Sequence, residues 1–239
     1  MLWLLTVVTT AVLLVIVWMV RDISRTPAAA GSVALATAAS TPRSATPSAS
    51  PRPKPSPRDS GTGPEIADPS AGLSYRLLTH PWRRGCPSAL ESGTFSWSAG
   101  ESAVAGRVSV GGSGSDWYGN ACSGRLRQQF QYAGPADLEP TAMNLAGALD
   151  AAYYSGLRHY RTVEDSSAMR VGGHQAWLVR FLMIYPDAAS QDLAWTSEAG
   201  AVVVVDRGAG QAPAIFYVSV PSNLGVSSVS LLISSLRLS

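Results

Sequence analysis

Two apolar stretches indicate the fold class of this chain. They are Gly173–Tyr185, GHQAWLVRFLMIY, and Ala201–Asp206, AVVVVD. Successive side chains of a β-strand point to opposite faces of its sheet. From Ala176 to Tyr185 both faces of the first stretch are then apolar except at Arg180, and Ala201–Val205 is apolar on both faces as well. Strands of this kind lie inside a sheet that is covered on both sides. The two stretches therefore predict a central antiparallel pair.

Further elements are predicted before and after this pair. Alternation or short apolar runs predict strands at Leu73–Leu78, Thr94–Ser98, Ala103–Val110, Leu126–Tyr132 and Ala214–Val220. Leu138–Ser155 repeats leucine and alanine at helical spacing, with Asp137 before it as a cap and Gly156 after it, so it predicts a helix. Asn223–Leu236 predicts a second helix at the C-terminus. The expected fold class is α+β, an antiparallel sheet flanked by helices.

The N-terminal part of the chain is of another kind. Leu2–Val20 contains no charged residue and would span roughly 28 Å as a helix, near the thickness of a bilayer core. We interpret residues 2–20 as a retained single-pass transmembrane helix; the alternatives are a cleavable signal peptide, for which Ala28–Ala30 offers small residues, and a buried helix. Residues 21–71, rich in Ala, Ser, Thr and Pro, predict a disordered linker. Residues 72–239 are then the globular domain.

The charge of the globular part limits the classes of partner that we expect it to bind. The whole chain carries a formal charge of +2. After residue 73 there are 12 basic and 12 acidic residues, so the basic excess belongs to the N-terminal part. A neutral domain without a basic stripe argues against nucleic acid as a partner. The predicted partners are the lipid bilayer, through the N-terminal helix, and an envelope protein or lipid ligand. We expect the globular domain to be monomeric.

Cys86 and Cys122 are the only cysteines. Both lie in loop-like surroundings, and we expect them to form a disulfide; two unrelated free thiols are the alternative. A persistent disulfide belongs outside the cytosol, which places the domain on the extracytoplasmic side. Arg21 and Arg25 follow the predicted span and argue for the opposite orientation by the positive-inside rule. An upstream start codon with a short basic segment would reconcile the two signals.

No motif of the sequence predicts a catalytic, cofactor-binding or metal-binding residue. The Gly111–Gly114 loop is not followed by the Gly-Lys-Ser/Thr of a phosphate loop. The pair Glu164-Asp165 suits a solvated turn better than a general acid and base that face each other. The histidines have no partner at metal-ligand spacing; they are His80, His159 and His174.

Three tryptophans are candidates for an apolar groove that contacts a lipid or a peptide, although core packing is the commoner use of such side chains. They are Trp82, Trp177 and Trp195. Arg180 is the fourth candidate contact, because it is the lone charge of the central strand. A buried charge needs a partner, and Asp206 and Glu198 are the predicted ones unless Arg180 reaches the rim of the sheet.

Several motifs give the chain a resemblance to a known family. Val171–Leu178 leads into the long strand with a V-x-G-x-x-A-W pattern, and the chain continues with Val202–Asp206, Tyr217–Pro221 and an ending at Ser234–Arg237. This arrangement resembles uncharacterised single-span actinobacterial membrane proteins whose outer domain is similar to the PsbP-like α/β/α fold, as in the mycobacterial LpqN-type lipoproteins. The resemblance implies an antiparallel sheet flanked by helices and a binding or accessory role. It covers residues 72–238 and brings no catalytic residues, and the chain lacks the lipobox of the LpqN type.

Three functions follow as alternatives. The first is a membrane-anchored extracytoplasmic binding or accessory module of the cell envelope, without enzymatic activity. The second is the structural head of an envelope or secretion complex that acts through protein contact. The third is an envelope hydrolase with an unrecognised site. A dry apolar groove would favour the first, a flat apolar patch the second, and converging titratable groups the third.

Overall fold

The computed structural model describes residues 64–110 and 113–238. The predicted transmembrane helix and all but the last residues of the predicted linker lie outside these ranges. Within the described part of the chain, no helix has the length and apolar character that crossing a bilayer requires.

The described residues form two sheets and two α-helices. The strands are β1 Glu65–Asp68, β2 Leu73–Arg76, β3 Arg83–Arg84, β4 Trp97–Val110, β5 Ser113–Arg125, β6 Tyr160–Val171, β7 His174–Ile184, β8 Ser197–Val205, β9 Ala214–Pro221 and β10 Arg237–Leu238. The helices are α1 Leu138–Tyr153 and α2 Ser228–Ser235. The larger sheet has the order β3-β4-β5-β9-β8-β7-β6 and the smaller one the order β1-β2-β10, both antiparallel. The α+β fold class is therefore confirmed.

The central pair lies where the sequence predicts it. Strands β7 and β8 are antiparallel neighbours inside the larger sheet, with Val179 opposite Val202 and Arg180 opposite Ala201. The alternation along β7 also holds: Val179, Phe181 and Met183 are buried in one core, whereas Ala176 and Leu178 are buried in the other. Helix α1 begins at the predicted residue and ends two residues earlier than predicted.

Each face of the larger sheet has its own cover. Leu138, Leu145 and Leu149 of α1 pack on one face, which we call the helix face. Strand β2 and helix α2 pack on the other, which we call the strand face, through residues such as Leu73 and Leu232. Burial of apolar area on both faces explains why the middle strands contain so few polar residues.

Three predicted strands between residues 94 and 132 differ from the structure. Thr94–Ser98 and Ala103–Val110 are not separate, because β4 runs without interruption from Trp97 to Val110. The segment between the two predicted strands contains the polar residues Glu101 and Ser102, but both belong to β4, and Glu101 is buried. Leu126–Tyr132 is not a strand: β5 ends at Arg125, and a short 3₁₀ turn follows at Gln128–Phe130.

The edge strand β6 was missed by the sequence reasoning. Glu164 and Asp165 lie within it and not in a turn, and both are exposed. Ten of its twelve residues are polar, small or exposed apolar side chains, with only Val171 buried. An edge strand that faces solvent has no need for an apolar alternation, so its pattern resembles that of a loop.

The folded part begins earlier than residue 72. Strand β1, Glu65–Asp68, lies inside the predicted linker and pairs with β2. Asp68 is buried, and its carboxylate accepts hydrogen bonds from Ser98 Oγ and Ser123 Oγ, both at 2.6 Å. A single buried carboxylate with hydroxyl partners from β4 and β5 thus attaches this short strand to the larger sheet.

Candidate functional site

A cavity of about 200 Å³ opens on the helix face, near the C-terminal end of α1. Its aromatic lining comes from β5, α1 and β9, in the form of Trp117, Tyr118, Tyr153, Tyr154 and Tyr217. Ser115 and Asp116 are exposed and lie at the mouth, whereas Asn120 and Glu198 are buried. The cavity is therefore a cleft that narrows from solvent towards two buried polar side chains.

Glu198 is the most completely satisfied polar group of this region. Its Oε2 accepts from Trp117 Nε1 and from the Tyr185 hydroxyl, each at 3.0 Å. Its Oε1 accepts from the Tyr154 hydroxyl at 3.0 Å and from the Ser219 hydroxyl. Four donors therefore converge on one carboxyl group that is only 1% exposed.

Strand register explains how these donors meet. Glu198 is the second residue of β8 and lies beside Met183 of β7, two residues before Tyr185. Ser219 belongs to the neighbouring strand β9. Tyr154 directly follows the last residue of α1, so the end of the helix carries its hydroxyl down onto the sheet. Elements that are distant in sequence thus supply one donor each.

Burial dominates the electrostatics of this cluster. It raises the pKa of Glu198, and the hydrogen bonds from Ser219, Trp117, Tyr185 and Tyr154 oppose this rise in part. Burial also raises the pKa of Tyr154, and the charge of Glu198 adds to that effect. The tyrosines of the cluster are therefore neutral hydrogen-bond donors at any ordinary pH.

Asn120 is the unsatisfied group of the cavity. It is 3% exposed, and its Nδ2 has no hydrogen-bond partner among the described residues. It lies on β5 directly opposite Ser219, whose hydroxyl is already used by Glu198. A buried amide nitrogen that makes no hydrogen bond is costly, by about 1–3 kcal/mol. A donor held in this way at the wall of a cavity is suited to an acceptor that enters the cavity from outside.

The cavity wall opposite to β5 is formed by Tyr153 and by the short 3₁₀ helix Ser88–Leu90. The Tyr153 hydroxyl donates to the Leu90 carbonyl, and Trp97 Nε1 lies 3.1 Å from that hydroxyl. Burial raises the pKa of Tyr153 to about 12. This wall is fixed to α1 by hydrogen bonds, so the width of the cavity is set by the packing of the helix.

The predicted disulfide between Cys86 and Cys122 is confirmed. It links the segment just before the cavity wall at Pro87 to β5, two residues after Asn120. Gly100 lies against it, because a Cβ at this position would collide with Cys86 Sγ and with the Ala121 carbonyl. The disulfide thus restrains one wall of the cavity relative to the sheet.

The three candidate tryptophans do not come together in one groove. Trp82 is buried on the strand face. Trp195 is buried on the helix face and stacks on Trp117 with 5.9 Å between ring centroids. Trp177 is half-buried and donates to Ser166 Oγ at 2.9 Å. Of the three, only Trp195 is next to the Glu198 cluster, and it is a core residue there.

Arg180 contacts neither predicted acid. Its Nη1 donates to Ser230 Oγ of α2 at 3.1 Å, and the side chain lines a surface groove on the strand face. Glu198 lies in the cavity on the helix face. Asp206 caps the turn after β8 by accepting from the Gly208 amide at 3.1 Å. The prediction of an ion pair with Asp206 or Glu198 is therefore wrong, and the Arg180 side chain reaches a surface groove instead.

The histidines form no cluster with other ligands. His159 Nε2 lies 2.6 Å from Asp150 Oδ1, and Arg161 contacts the other oxygen of that carboxylate at 3.4 Å. His174 is the first residue of β7, and its Nδ1 lies 3.0 Å from the carbonyl oxygen of Asp206. Within the described ranges, no group of three or more His, Cys, Asp or Glu side chains could hold a metal ion.

Sequence reasoning did not identify the residues of the cavity. Glu198 was considered only as a partner of Arg180, and Asn120 was not considered. One signal was present: Glu198 follows two polar residues and precedes the apolar run Ala199–Val205, so it belongs to a strand that is otherwise buried. A carboxylate at the start of such a strand needs donors, and tyrosine and tryptophan are common in the remainder of the domain.

Comparison with known proteins gives a structural likeness but no match in sequence. No family model and no curated protein matches the sequence. Among solved structures, the chain is similar to the solution structure of cyanobacterial PsbP (CyanoP) from Synechocystis sp. PCC 6803, with a TM-score of 0.46 and 10% sequence identity over 75% of this chain and 96% of that chain. PsbP is also the fold that the sequence motifs of this chain resemble. A likeness at this level says nothing of activity, ligand or partner.

Proposed function

We propose that the folded part of this chain is a binding module without enzymatic activity, which holds a small and largely apolar ligand in the cavity beside Glu198. The observation that carries the proposal is the buried Asn120 amide, whose Nδ2 has no partner among the described residues and which lies at the cavity wall. The ligand then has an apolar body that contacts the aromatic walls and one hydrogen-bond acceptor that reaches Asn120.

The size of the cavity limits the ligand. An apolar cavity of about 150 Å³ accommodates benzene, and sites for drug-sized molecules measure about 300–1,000 Å³. A cavity of about 200 Å³ fits a substituted aromatic ring, or the end of a longer molecule that enters past Ser115 and Asp116. Apolar walls with few polar groups are the usual make-up of such sites.

The state of Glu198 supports binding over hydrolysis. Both of its oxygens accept two hydrogen bonds each, which occupies the positions that a water molecule or a substrate would need. A general base has to reach the proton that it abstracts. In this arrangement the carboxyl group orients the aromatic side chains of the wall and has no free lone pair directed at the cavity.

The proposal includes the location of the module. We place the domain on the extracytoplasmic side of a membrane, anchored by residues 2–20. The apolar stretch Leu2–Val20 supports the anchor, and the Cys86–Cys122 disulfide supports the oxidising side. A membrane-impermeant maleimide, applied to intact cells after an impermeant reductant, should label the cysteines. Labelling that needs prior cell lysis would place the domain in the cytoplasm.

A pair of isosteric probes tests the ligand chemistry. Acetophenone and α-methylstyrene have nearly the same shape, but only acetophenone has a carbonyl acceptor. We expect the full chain, purified in a neutral detergent, to bind acetophenone more tightly by about tenfold at equal free probe concentration, since one satisfied buried hydrogen bond contributes about 1–1.5 kcal/mol. The fluorescence of Trp117 at the cavity wall reports binding. Equal affinities for the two probes would contradict the proposed role of Asn120.

Two variants locate the probe. Ala152→Phe places a ring at the cavity mouth and should abolish binding of both probes, because Ala152 lines the cavity. Ala151→Phe is the matched control, since this neighbouring residue of α1 is exposed and does not line the cavity. If both variants still bound acetophenone as the wild type does, the probe would sit elsewhere and the cavity would not be the site.

A further inference from the structure

A second concave site lies on the strand face, away from the aromatic cavity. It is a groove of about 540 Å³ between the β6–β7 hairpin and the C-terminal segment of the chain. Three arginines line it, Arg170, Arg180 and Arg237, together with Ser230 and Ser234. None of the described residues that line it is acidic. This is a local concentration of positive charge in a domain whose net charge is close to zero.

Three different elements bring the arginines together. Arg170 is near the end of β6, and the turn that follows is Gly172-Gly173, whose φ angles of 57° and 88° are left-handed. Glycine adopts such angles without steric cost, so the hairpin is tight and Arg170 stays beside β7. Arg180 comes from β7 itself, and Arg237 follows the end of α2. The fold therefore creates the cluster, which is invisible in the linear sequence.

Each guanidinium is held by one of its nitrogens. Arg170 Nη1 donates to the Gly173 carbonyl at 2.7 Å, and Arg180 Nη1 donates to Ser230 Oγ at 3.1 Å. Arg237 Nη1 donates to the carbonyls of Ser234 and Leu236 at 3.0 and 2.8 Å. A guanidinium has five N–H donors, so every one of the three retains donors that meet no partner among the described residues. Their side chains are positioned, and their charge is available.

Among the described residues, no carboxylate neutralises this charge. Asp165 is opposite Arg180 in the β6–β7 pair, but its side chain accepts from Ser167 Oγ at 3.0 Å. The ion pairs of the described residues involve other cations, namely Arg107, Arg158, His159 and Arg161. None of the three groove arginines therefore has a carboxylate oxygen within 4.0 Å in the described part of the chain.

We propose that this groove binds a phosphate-bearing ligand through Arg170, Arg180 and Arg237. Guanidinium groups match the oxygens of a phosphate with paired, charge-assisted hydrogen bonds, and the serine hydroxyls of the groove add neutral donors. A free phosphate and the phosphodiester of an anionic lipid headgroup, whose charge no ammonium group of the same headgroup balances, present the same chemistry to these side chains. The site is independent of the cavity on the helix face, so either site can exist without the other.

Calorimetry on the full chain in a neutral detergent distinguishes the two sources of phosphate. One arm titrates inorganic phosphate, and the other titrates phosphatidylglycerol in mixed micelles, with phosphatidylcholine micelles as the zwitterionic reference. Saturable binding of phosphate, or saturable binding of phosphatidylglycerol alone, would support the groove and identify the source. Absence of binding in both arms, or equal binding of the two lipids without binding of phosphate, would overturn the proposal.

A charge-matched pair of double variants assigns the binding to the groove. Arg170→Gln with Arg180→Gln should lower the affinity by about tenfold or more, because two guanidinium contacts are lost. Arg83→Gln with Arg127→Gln removes the same charge from exposed residues outside the groove and should leave the affinity within about twofold, as screening by salt predicts. Equal losses in both pairs would show unspecific attraction and overturn the proposal. If the groove pair fails to fold by circular dichroism, Arg237→Gln alone is measured against Arg83→Gln with the same criterion.

Discussion

A glutamate is buried on each face of the larger sheet, and the two glutamates differ in the number of hydrogen bonds that they accept. On the helix face, Glu198 accepts hydrogen bonds from two tyrosines, one tryptophan and one serine. On the strand face, Glu101 is equally inaccessible, yet it accepts only from the Leu78 amide at 2.9 Å, and its Oε1 has no partner among the described residues. Equal burial therefore leads to different energetics, because the number of donors decides what a buried carboxyl group costs.

The different numbers of donors around Glu198 and Glu101 reflect the side chains that surround each glutamate. The donors around Glu198 are large aromatic side chains, and by orienting them the carboxyl group shapes the wall of the cavity. Glu101 has no such surroundings, since Arg84 is its neighbour across β3 and β4 and the edge of the sheet is close. The first glutamate orients the aromatic wall of a cavity, and the second is a poorly satisfied group near an edge.

Removal of Glu198 should have the largest effect. The change Glu198→Ala leaves four buried donors without their acceptor, so we expect a loss of about 3–5 kcal/mol in the free energy of unfolding. Glu164→Ala is the control, because this glutamate is exposed on the edge strand β6, and its loss should stay within about 0.5 kcal/mol. Urea unfolding followed by circular dichroism measures both. A loss below about 1 kcal/mol at Glu198 would mean that its four hydrogen bonds do not stabilise the fold.

After Glu198, the disulfide makes the second large contribution to the stability of the helix face. Cys86→Ser with Cys122→Ser opens a loop with a sequence separation of 36 residues, which should lower the stability by about 4 kcal/mol in the chain-entropy estimate. Because the bridge restrains the cavity wall next to Pro87, acetophenone affinity should fall as well. Denaturant unfolding and probe titration of the double variant provide the two readouts. Unchanged stability would show that the bridge does not restrain the unfolded chain.

Glu101 should make stability depend on pH. Burial raises its pKa from 4.5 to about 7, with the Leu78 amide and the charge of Arg84 opposing the rise. Between these two pH values the unfolded chain has lost the proton and the folded chain still holds it, so stability falls as the pH rises through this window and is level above it. With a discount for solvent screening, the fall is about 1–2 kcal/mol.

The neutral variant isolates this effect. In Glu101→Gln the side chain cannot ionise, so the part of the pH dependence between 4.5 and about 7 that belongs to Glu101 should vanish. Unfolding free energies of the wild type and the variant at pH 4.5, 6 and 8 give the comparison. If the two curves stayed parallel over this range, the folded-state pKa of Glu101 would not be raised.

Asn120 should show the smallest effect on stability. Its Nδ2 has no partner among the described residues, so Asn120→Leu removes a buried polar group without breaking a hydrogen bond from that nitrogen. We expect a change within about 0.5 kcal/mol, or a small stabilisation. Ser219→Ala, on the facing strand, is the contrast, since it removes a donor to Glu198 and should cost about 1.5–3 kcal/mol. Thermal unfolding ranks the two, and the reverse ranking would be inconsistent with the contacts described.

The sequence predicts the layers of this fold better than its edges. Two-sided apolar runs identify β7, β8 and β9, and helical spacing identifies α1, because in these elements burial alone sets the pattern. Strands β1 and β6 were missed since an edge strand does not need an apolar face. Strand β4 was divided because the buried Glu101 looks like a surface residue in a linear sequence.

The candidate sites could not be predicted for a different reason. The donors to Glu198 lie up to 81 residues from it, and the groove arginines lie on three elements that meet only in the folded chain. Tryptophan and arginine were singled out as residue types with binding potential, but Trp82, Trp177 and Trp195 pack in separate places. Both sites consist of side chains that are close in space but far apart in sequence, so they can be identified only once the fold is known.

The Asn120 side chain gives the most direct test of the binding cavity. In a ¹⁵N correlation spectrum of the full chain, its NH₂ pair can be assigned by its loss in Asn120→Leu. We expect acetophenone to shift this pair in a saturable manner and to slow its exchange with solvent, while α-methylstyrene leaves its exchange unchanged. If acetophenone saturated the protein without moving the Asn120 pair, this amide would not be the donor that recognises the ligand.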